Sequence, residues 1–308
     1  MIMAEGPKKI LLSGSSGLIG TALSNALRGA GRPITPLIRH RGGPPESAFW
    51  DPLADQLDAA PLAGTDAVIH LAGENLADGR WTAARKKRIT DSRVLSTALL
   101  AKTIATLQPL PRVMLCASAI GYYGNRGDQL LDESAPPGEG FAADLCRRWE
   151  QAAAPASAAG IRVVHLRLGV VLDRASKAMT KMVSIFRLGL GGVLGSGCQY
   201  VAWIALDDAV AAILHLLDHS QLSGPVNLVA PQAVTNRELT KALGRALHRP
   251  TIIPVPAFAA HLAFGEMADE LLLSSTRVVP RRLLDDGFKF RFPQLDAAFQ
   301  HMLKSPNQ

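Results

Sequence analysis

Three glycines spaced three apart, Gly14, Gly17 and Gly20, follow directly on the apolar run Ile10-Leu11-Leu12-Ser13 and open a helical stretch that reaches about Gly29. Strand, glycine turn and helix in that order form a phosphate-binding device. The first glycine permits the tight turn, the second lets the backbone approach a pyrophosphate, and the third allows close helix–sheet packing. The helix N-terminus then offers N–H groups and a partial positive charge to an anion. A dinucleotide site is therefore expected at Gly14, Ser15, Gly17, Leu18, Ile19 and Gly20. The end of the second strand decides which dinucleotide it takes: a carboxylate there would hold a ribose 2′-hydroxyl, whereas a cation accommodates a 2′-phosphate. The chain offers Arg39-His40-Arg41 and no acid before Glu46, so NADP(H) is expected first and NAD(H) second, the alternative being that Arg39 is an ordinary surface arginine. Glu74 lies just past the apolar run 66–72, at the kind of strand end where ligands bind in open α/β sheets, and is a candidate base or substrate contact.

These residues need a scaffold, and the spacing of apolar runs describes one. Runs at 34–39, 66–72, 112–118 and 162–168 read as strands, while 82–107 and 141–158 read as helices. The segment 42–62 reads as loop with a short strand near Phe49. Continuous rather than alternating apolar character suits strands covered on both faces. Strand–helix alternation implies an α/β fold of Rossmann type, a doubly wound parallel sheet. After Val229 the rhythm changes: Pro231, Pro250, Pro254, Pro256 and Pro280 punctuate helical pieces at 236–247 and 257–265. We expect a dinucleotide-binding domain over 8–230 and a smaller C-terminal substrate lobe over 231–308, with 175–200 extending toward that lobe.

Composition narrows the class. Hydrophobic residues make up 48% and charged residues 19% of the 308, which describes a folded globular protein and not a disordered one. The balance of 33 basic against 26 acidic residues, net +7, tolerates phosphate-rich ligands. Its densest cluster, Arg85-Lys86-Lys87-Arg88, falls on a helix and reads as a solvated face, not a nucleic-acid patch. Cys116, Cys146 and Cys198 have no paired spacing, so disulfides and structural zinc are not expected and a cytoplasmic location is. Met1 to Lys9 lacks a signal-peptide core, and no run is long enough for a membrane span. His215, Asp218 and His219 lack both a third metal ligand and a glutamate base, so no metal site is expected there.

Longer motifs carry a resemblance. They are His70-Leu71-Ala72-Gly73-Glu74-Asn75, Arg80-Trp81-Thr82, Ser92-Arg93, Gly121-Tyr122-Tyr123-Gly124, the runs 166–172 and 186–192, and Gly195-Ser196-Gly197 through Trp203-Ile204. Gly265-Glu266-Met267-Ala268, Ser274-Ser275, Arg277-Val278 and Gly287-Phe288 continue them. With these the chain resembles the extended short-chain dehydrogenase/reductase superfamily, and within it the epimerase family proteins of atypical type, over nearly its whole length. The final motifs resemble that family's C-terminal domain of unknown function. The resemblance implies a Rossmann fold binding NADP(H) through the glycine turn, Arg39, Leu71, Ala72, Arg93 and Val171. It also implies a small-molecule substrate, a nucleotide-sugar among the candidates, between the sheet's carboxyl edge and the small lobe.

Most members of that superfamily move a proton with a tyrosine placed four residues before a lysine, whose charge lowers the phenol pKa. Here the residues four beyond Tyr122, Tyr123 and Tyr200 are Arg126, Gly127 and Ile204, and Phe141 and Leu145 occupy the matching helix positions. The usual mechanism is excluded. What remains is Ser118, at a strand end where a polarising hydroxyl would sit or a capping serine would serve, and Tyr122 and Tyr123, one of which can lie over a nicotinamide or simply pack. Arg167 is either an anion holder or a buried ion-pair partner. Cys198, Ala205, Ser176 and Lys177 stand where the family pattern has arginine, histidine and two glycines. Two readings follow: an NADP(H)-dependent oxidoreductase or epimerase without the Tyr–Lys pair, or a non-catalytic NADP(H)-binding redox sensor or docking protein.

Overall fold

In the computed structural model, which describes residues 9–304, each apolar run named above forms a strand. Residues 1–8, nearly all of the stretch read for a signal peptide, and 305–308 lie outside the described residues. In chain order the strands are β1 (Ile10–Ser13), β2 (Ile34–Ile38), β3 (Ala48–Asp51), β4 (Gln56–Leu57), β5 (Ala67–His70), β6 (Val113–Ala119), β7 (Leu130–Leu131), β8 (Arg162–Leu168), β9 (Val170–Leu172), β10 (Tyr200–Val201), β11 (Trp203–Ala205), β12 (Gly224–Leu228), β13 (Val234–Thr235) and β14 (Arg277–Val278). The helices are α1 (Leu18–Gly29), α2 (Ala83–Ile104), α3 (Phe141–Gln151), α4 (Ala154–Ala158), α5 (Lys177–Arg187), α6 (Leu206–Asp218), α7 (Asn236–Leu247), α8 (Ala257–Phe264), α9 (Arg281–Asp285) and α10 (Leu295–Lys304).

The main sheet runs β12-β8-β6-β5-β1-β2-β3-β4. All its pairings are parallel except β3 with β4, so the strand carboxyl ends share one edge. The chain builds outward from β1 through β2 and β3, then crosses back to lay β5 on the other flank of β1. That reversal opens a crevice between the exits of β1 and β5, the place where open α/β sheets take ligands. Side chains of β1, β5 and β6 are buried on both faces, which is why these runs are apolar without alternation. One face packs Leu23 and Leu27 of α1 and Ile213 and Leu216 of α6. The other packs Leu100 and Ile104 of α2, Trp149 of α3 and Ala156 of α4.

Two expectations change. The helix foreseen over 141–158 is broken into α3 and α4, because Pro155 has no N–H to give and its ring crowds the carbonyl four residues back. The segment 42–62 holds a β3–β4 hairpin and a turn of 3-10 helix at Ala60–Leu62, with Asp55 in the left-handed region at φ 53°. No helix among the described residues is long and apolar enough to cross a membrane.

Beyond the sheet, β9 pairs with β11, and a separate core joins Met179 and Phe186 of α5, Trp203, Leu239 and Leu243 of α7, and Phe299 of α10. The chain after 280 returns to the main core through Leu283 and Phe288. Polar locks fix this return: Asp208, in the first turn of α6, accepts the N–H groups of Arg291 at 2.8 Å and Phe292 at 2.9 Å. Asp208→Ala leaves two backbone donors without partners and removes an acid from a helix start, so a loss of about 2–4 kcal/mol is expected in urea unfolding.

Candidate functional site

Gly14 turns the chain out of β1 at φ +71°, and a Cβ there would lie 2.8 Å from the Leu71 carbonyl carbon and 2.9 Å from the Ala72 nitrogen. A Cβ on Gly20 would lie 2.0 Å from the Gly14 carbonyl oxygen, so the third glycine makes room for the turn itself, where close packing on the sheet was expected. Gly17 begins α1 without a side-chain cap, and no acid occupies the first turn. The leading N–H groups of α1 are thus left for an incoming anion. Ser15, Leu18 and Ile19 line this start half-buried.

The residues implied by resemblance surround the same crevice. The Leu71 and Ala72 N–H groups donate to Ser13 Oγ at 3.1 and 3.3 Å. Arg93, 7% exposed on α2, lies under Gly73, where a Cβ would sit 3.2 Å from the guanidinium carbon. Its Nη1 donates to the Ile89 carbonyl at 3.3 Å, its carbon stands 4.9 Å from the Trp149 ring centre, and its Nε has no partner. Burial pulls its pKa down to about 10. Among the described residues no carboxylate comes within ion-pair distance of it. Glu74, beyond ion-pair distance, offsets part of the cost of burial, and the guanidinium that remains suits an anionic ligand. Val171, just past the end of β8, packs half-buried against the same core as Ile19 and Leu71. Arg39 is exposed directly after β2 and has no ion-pair partner among the described residues, whereas Arg41 stacks over Phe49 at 4.1 Å. The cradle and its unpaired cations fit a dinucleotide with an extra phosphate.

The proton-transfer candidates are sorted by a second set of contacts. Register places Ser118 of β6 and Asn227 of β12 on either side of Arg167 in β8. Glu150 of α3 accepts from Arg167 Nε at 2.8 Å and Nη2 at 2.9 Å, and Ser118 donates its hydroxyl proton to the same carboxylate at 2.7 Å. Burial works against the charged guanidinium, but Glu150 holds Arg167 above its ordinary pKa. Tyr123, fully buried, donates to Asn227 Oδ1 at 2.7 Å and accepts from Arg167 Nη1 at 3.0 Å. Burial pushes its phenol up to about 12. Tyr122 differs from its neighbour. It is half-buried, the Arg167 guanidinium carbon lies 3.4 Å from its ring centre, and its hydroxyl makes no hydrogen bond to a described residue.

Glu74 is half-buried between Arg85 at 3.5 Å and Arg88 at 3.6 Å. Those two arginines, with the Lys86–Glu266 and Lys87–Asp91 pairs, give the basic cluster acidic partners within the chain. Phe141 is packed against Trp81, with ring centres 5.0 Å apart, and its N–H and that of Ala142 donate to Glu270 at 2.8 and 2.7 Å. Cys198 is exposed. His215 contacts Asp286 and Asp218 accepts from Arg32, and the described residues hold no cluster suited to a metal. Glu150, Asn227 and Glu270 were not foreseen. An arginine inside a continuous apolar strand was the signal that a buried acid had to exist.

The class defined by these features is a Rossmann-type α/β protein of the epimerase kind. The chain belongs to the NAD dependent epimerase/dehydratase family, which matches residues 10–229, and residues 255–302 match a domain of unknown function, DUF1731. It is 39% identical to an epimerase family protein of Mycobacterium leprae over 308 residues, covering 99% of this chain and all of the relative. It is similar to the crystal structure of the human epimerase family protein SDR39U1 (isoform 2) with NADPH, with TM-score 0.89 and 35% identity over 97% of this chain and all of that one. The structure of the nucleoside-diphosphate sugar epimerase from Corynebacterium glutamicum aligns with TM-score 0.80 and 35% identity, covering 96% of this chain and 58% of that one. The family resemblance carried by the motifs is the family matched.

Because its Cβ would meet a backbone oxygen that cannot move aside, Gly20→Ala is expected to displace the turn from the head of α1. Far-UV circular dichroism should keep its α/β signature while NADPH binding by calorimetry falls by roughly a hundredfold or more, the equivalent of losing several backbone contacts.

Proposed function

We propose that this protein binds NADP(H) in the crevice between β1 and β5 and uses it in oxidoreductase or epimerase chemistry on a small molecule. One observation carries the proposal: the crevice pairs a backbone turn with no room for a Cβ at Gly14 or Gly20 with a buried arginine that makes no ion pair among the described residues and whose Nε has no partner. The human relative crystallised with NADPH supports it. Gly14, Ser15, Gly17, Leu18, Ile19 and Gly20 would hold the phosphates with Arg93. Leu71, Ala72 and Val171 would form the walls, and Arg39 would take the 2′-phosphate. When bound, NADPH supplies a hydride. For the proton, Tyr122 and Glu74 are the groups we favour, since the Ser118 hydroxyl is engaged in donating a hydrogen bond to Glu150 and Tyr123 is sealed in the core.

A nucleotide-sugar is the substrate class to test first, on the strength of the Corynebacterium protein's description. The exposed Cys198 stands where the resemblance expects a cation for it. We place the protein in a reducing, cytoplasmic setting, since its three cysteines are all unpaired. A second reading, a redox sensor or docking protein that binds NADP(H) without turning it over, is favoured by one observation. The position of the usual tyrosine is Phe141, covered by Trp81.

Tritium exchange from labelled NADPH against nucleotide-sugars and small carbonyls separates the two. Exchange with at least one substrate is expected, and Tyr122→Phe should slow it by roughly 10²-fold or more while leaving NADPH affinity unchanged. Tight NADPH binding with no exchange anywhere would establish the sensor instead. In calorimetric titrations NADPH should bind more tightly than NADH, and Arg39→Ala should erase roughly tenfold of that preference by weakening NADPH alone. A preference for NADH, or indifference to Arg39→Ala, would sink the assignment of the 2′-phosphate site.

A further inference from the structure

Behind the crevice, hydrogen-bond counting fixes the state of a buried histidine. Ser13 Oγ has three neighbours: the Leu71 and Ala72 N–H groups, at 3.1 and 3.3 Å, and His70 Nδ1 at 2.6 Å. A hydroxyl has two lone pairs and one proton, and backbone N–H groups can only donate. The Leu71 N–H is shared with the Ser13 carbonyl oxygen at 3.2 Å, but neither N–H can accept, so among these neighbours the Ser13 proton can go to Nδ1 alone. An imidazole that accepts at Nδ1 is neutral and carries its proton on Nε2. The other side of the ring agrees. Nε2 lies 3.0 Å from Thr97 Oγ1 and 3.2 Å from Ser96 Oγ. The Ser96 proton is committed to the Ser92 carbonyl at 2.7 Å, and Thr97 already accepts from Trp149 Nε1 at 3.0 Å, so both oxygens have a lone pair for Nε2–H. A charged ring, or the opposite tautomer, would aim a second proton at Ser13 and leave the Ser13 hydroxyl proton without an acceptor among these neighbours. Complete burial, reinforced by Arg93, lowers the His70 pKa to about 3, in keeping with the neutral form.

The consequence reaches the cofactor crevice. Ser13 is the last residue of β1, and the peptide it holds, Leu71–Ala72, is the one against which Gly14 fits without a side chain. We propose that His70, neutral with its proton on Nε2, is a positioning residue that aims the Ser13 hydroxyl so that the Leu71–Ala72 peptide is pinned beneath a bound dinucleotide. Ser96, Thr97 and Trp149 set the ring in turn, so the inner face of α2 and α3 is linked to the phosphate turn through one imidazole. This role rests on the NADP(H) reading, but the protonation state does not.

Two measurements test it. Long-range ¹H–¹⁵N correlation spectra of histidine-labelled, unliganded protein should show His70 protonated at Nε2 only and unchanged from about pH 5 to 8, well above its lowered pKa. In parallel, NADPH affinity is compared between wild type, His70→Asn, whose amide oxygen can still accept from Ser13, and His70→Phe, which cannot. His70→Asn should bind within about threefold of wild type, and His70→Phe roughly tenfold more weakly, the scale of one net hydrogen bond. Nδ1 protonation, a charged ring, or equal affinity of all three proteins would overturn the proposal. If His70→Phe does not fold, His70→Leu, equally unable to accept from Ser13, replaces it in the affinity comparison with the same expected loss. Failure of wild type to bind NADPH would instead overturn the cofactor reading, and with it the positioning role, while the spectrum still reports the tautomer.

Discussion

Arg167 places a positive charge at the carboxyl end of a strand covered on both faces, and the arrangement around the candidate catalytic edge follows from keeping that charge satisfied. A buried guanidinium without partners is several kcal/mol too costly to persist. Glu150 answers it with a two-pronged contact, Tyr123 with its hydroxyl oxygen, and Tyr122 with the face of its ring. Each partner then has demands of its own. Glu150 accepts a hydrogen bond from Ser118, and Tyr123 donates one to Asn227, whose amide donates to the Val279 carbonyl. One buried charge thus commits a serine and a tyrosine that residue type alone would nominate for catalysis.

The C-terminal part of the chain is fastened by the same kind of contact. Glu270 reaches across to cap α3, and Gly140 is a glycine partly because a Cβ there would lie 2.8 Å from the Glu270 carboxylate. Glu133 does similar work from the other side, accepting the Asn227 N–H at 3.0 Å and an Arg282 N–H at 3.3 Å. Carboxylates paired with backbone N–H groups are directional, so they fix the geometry of these contacts as well as their strength. The head of α3, where the superfamily's tyrosine would stand, is consequently closed by Glu270 and by Trp81 beside Phe141.

Much of this was legible in the sequence. The glycine turn, the five long strands and the parallel order came from apolar runs and spacing that depend only on local geometry. So did the alternatives for Arg167, since an arginine in an apolar strand must pair or bind. The fates of Ser118 and of the two tyrosines were not legible. The partner of Ser118 is 32 residues away, and Tyr123 is distinguished from Tyr122 only by an asparagine 104 residues on. Adjacent tyrosines in a tight turn point in different directions, and nothing local says which one enters the core. The break at Pro155 was legible and overlooked. Of the β3–β4 hairpin the short strand near Phe49 was legible, but its partner was not, because a strand of two residues leaves no pattern to read.

Charge balance finally distinguishes the two halves of the carboxyl edge. On the side of β6 and β8 the cations are answered within the chain: Arg167 by Glu150, Arg85 and Arg88 by Glu74, Lys86 by Glu266. In the other half Arg39, after β2, and Arg93, beneath the exit of β5, have no carboxylate within ion-pair distance among the described residues, although Glu74 offsets part of the cost of burying Arg93. An anion entering the first half must displace a partner already in place, whereas one entering the second relieves a cost that folding has left standing. Phosphates are drawn to the glycine turn for that reason as well as for its backbone N–H groups. On the function proposed above, charge selects the dinucleotide. The substrate has to be chosen by shape, against walls that include Tyr122, Trp81 and Phe141.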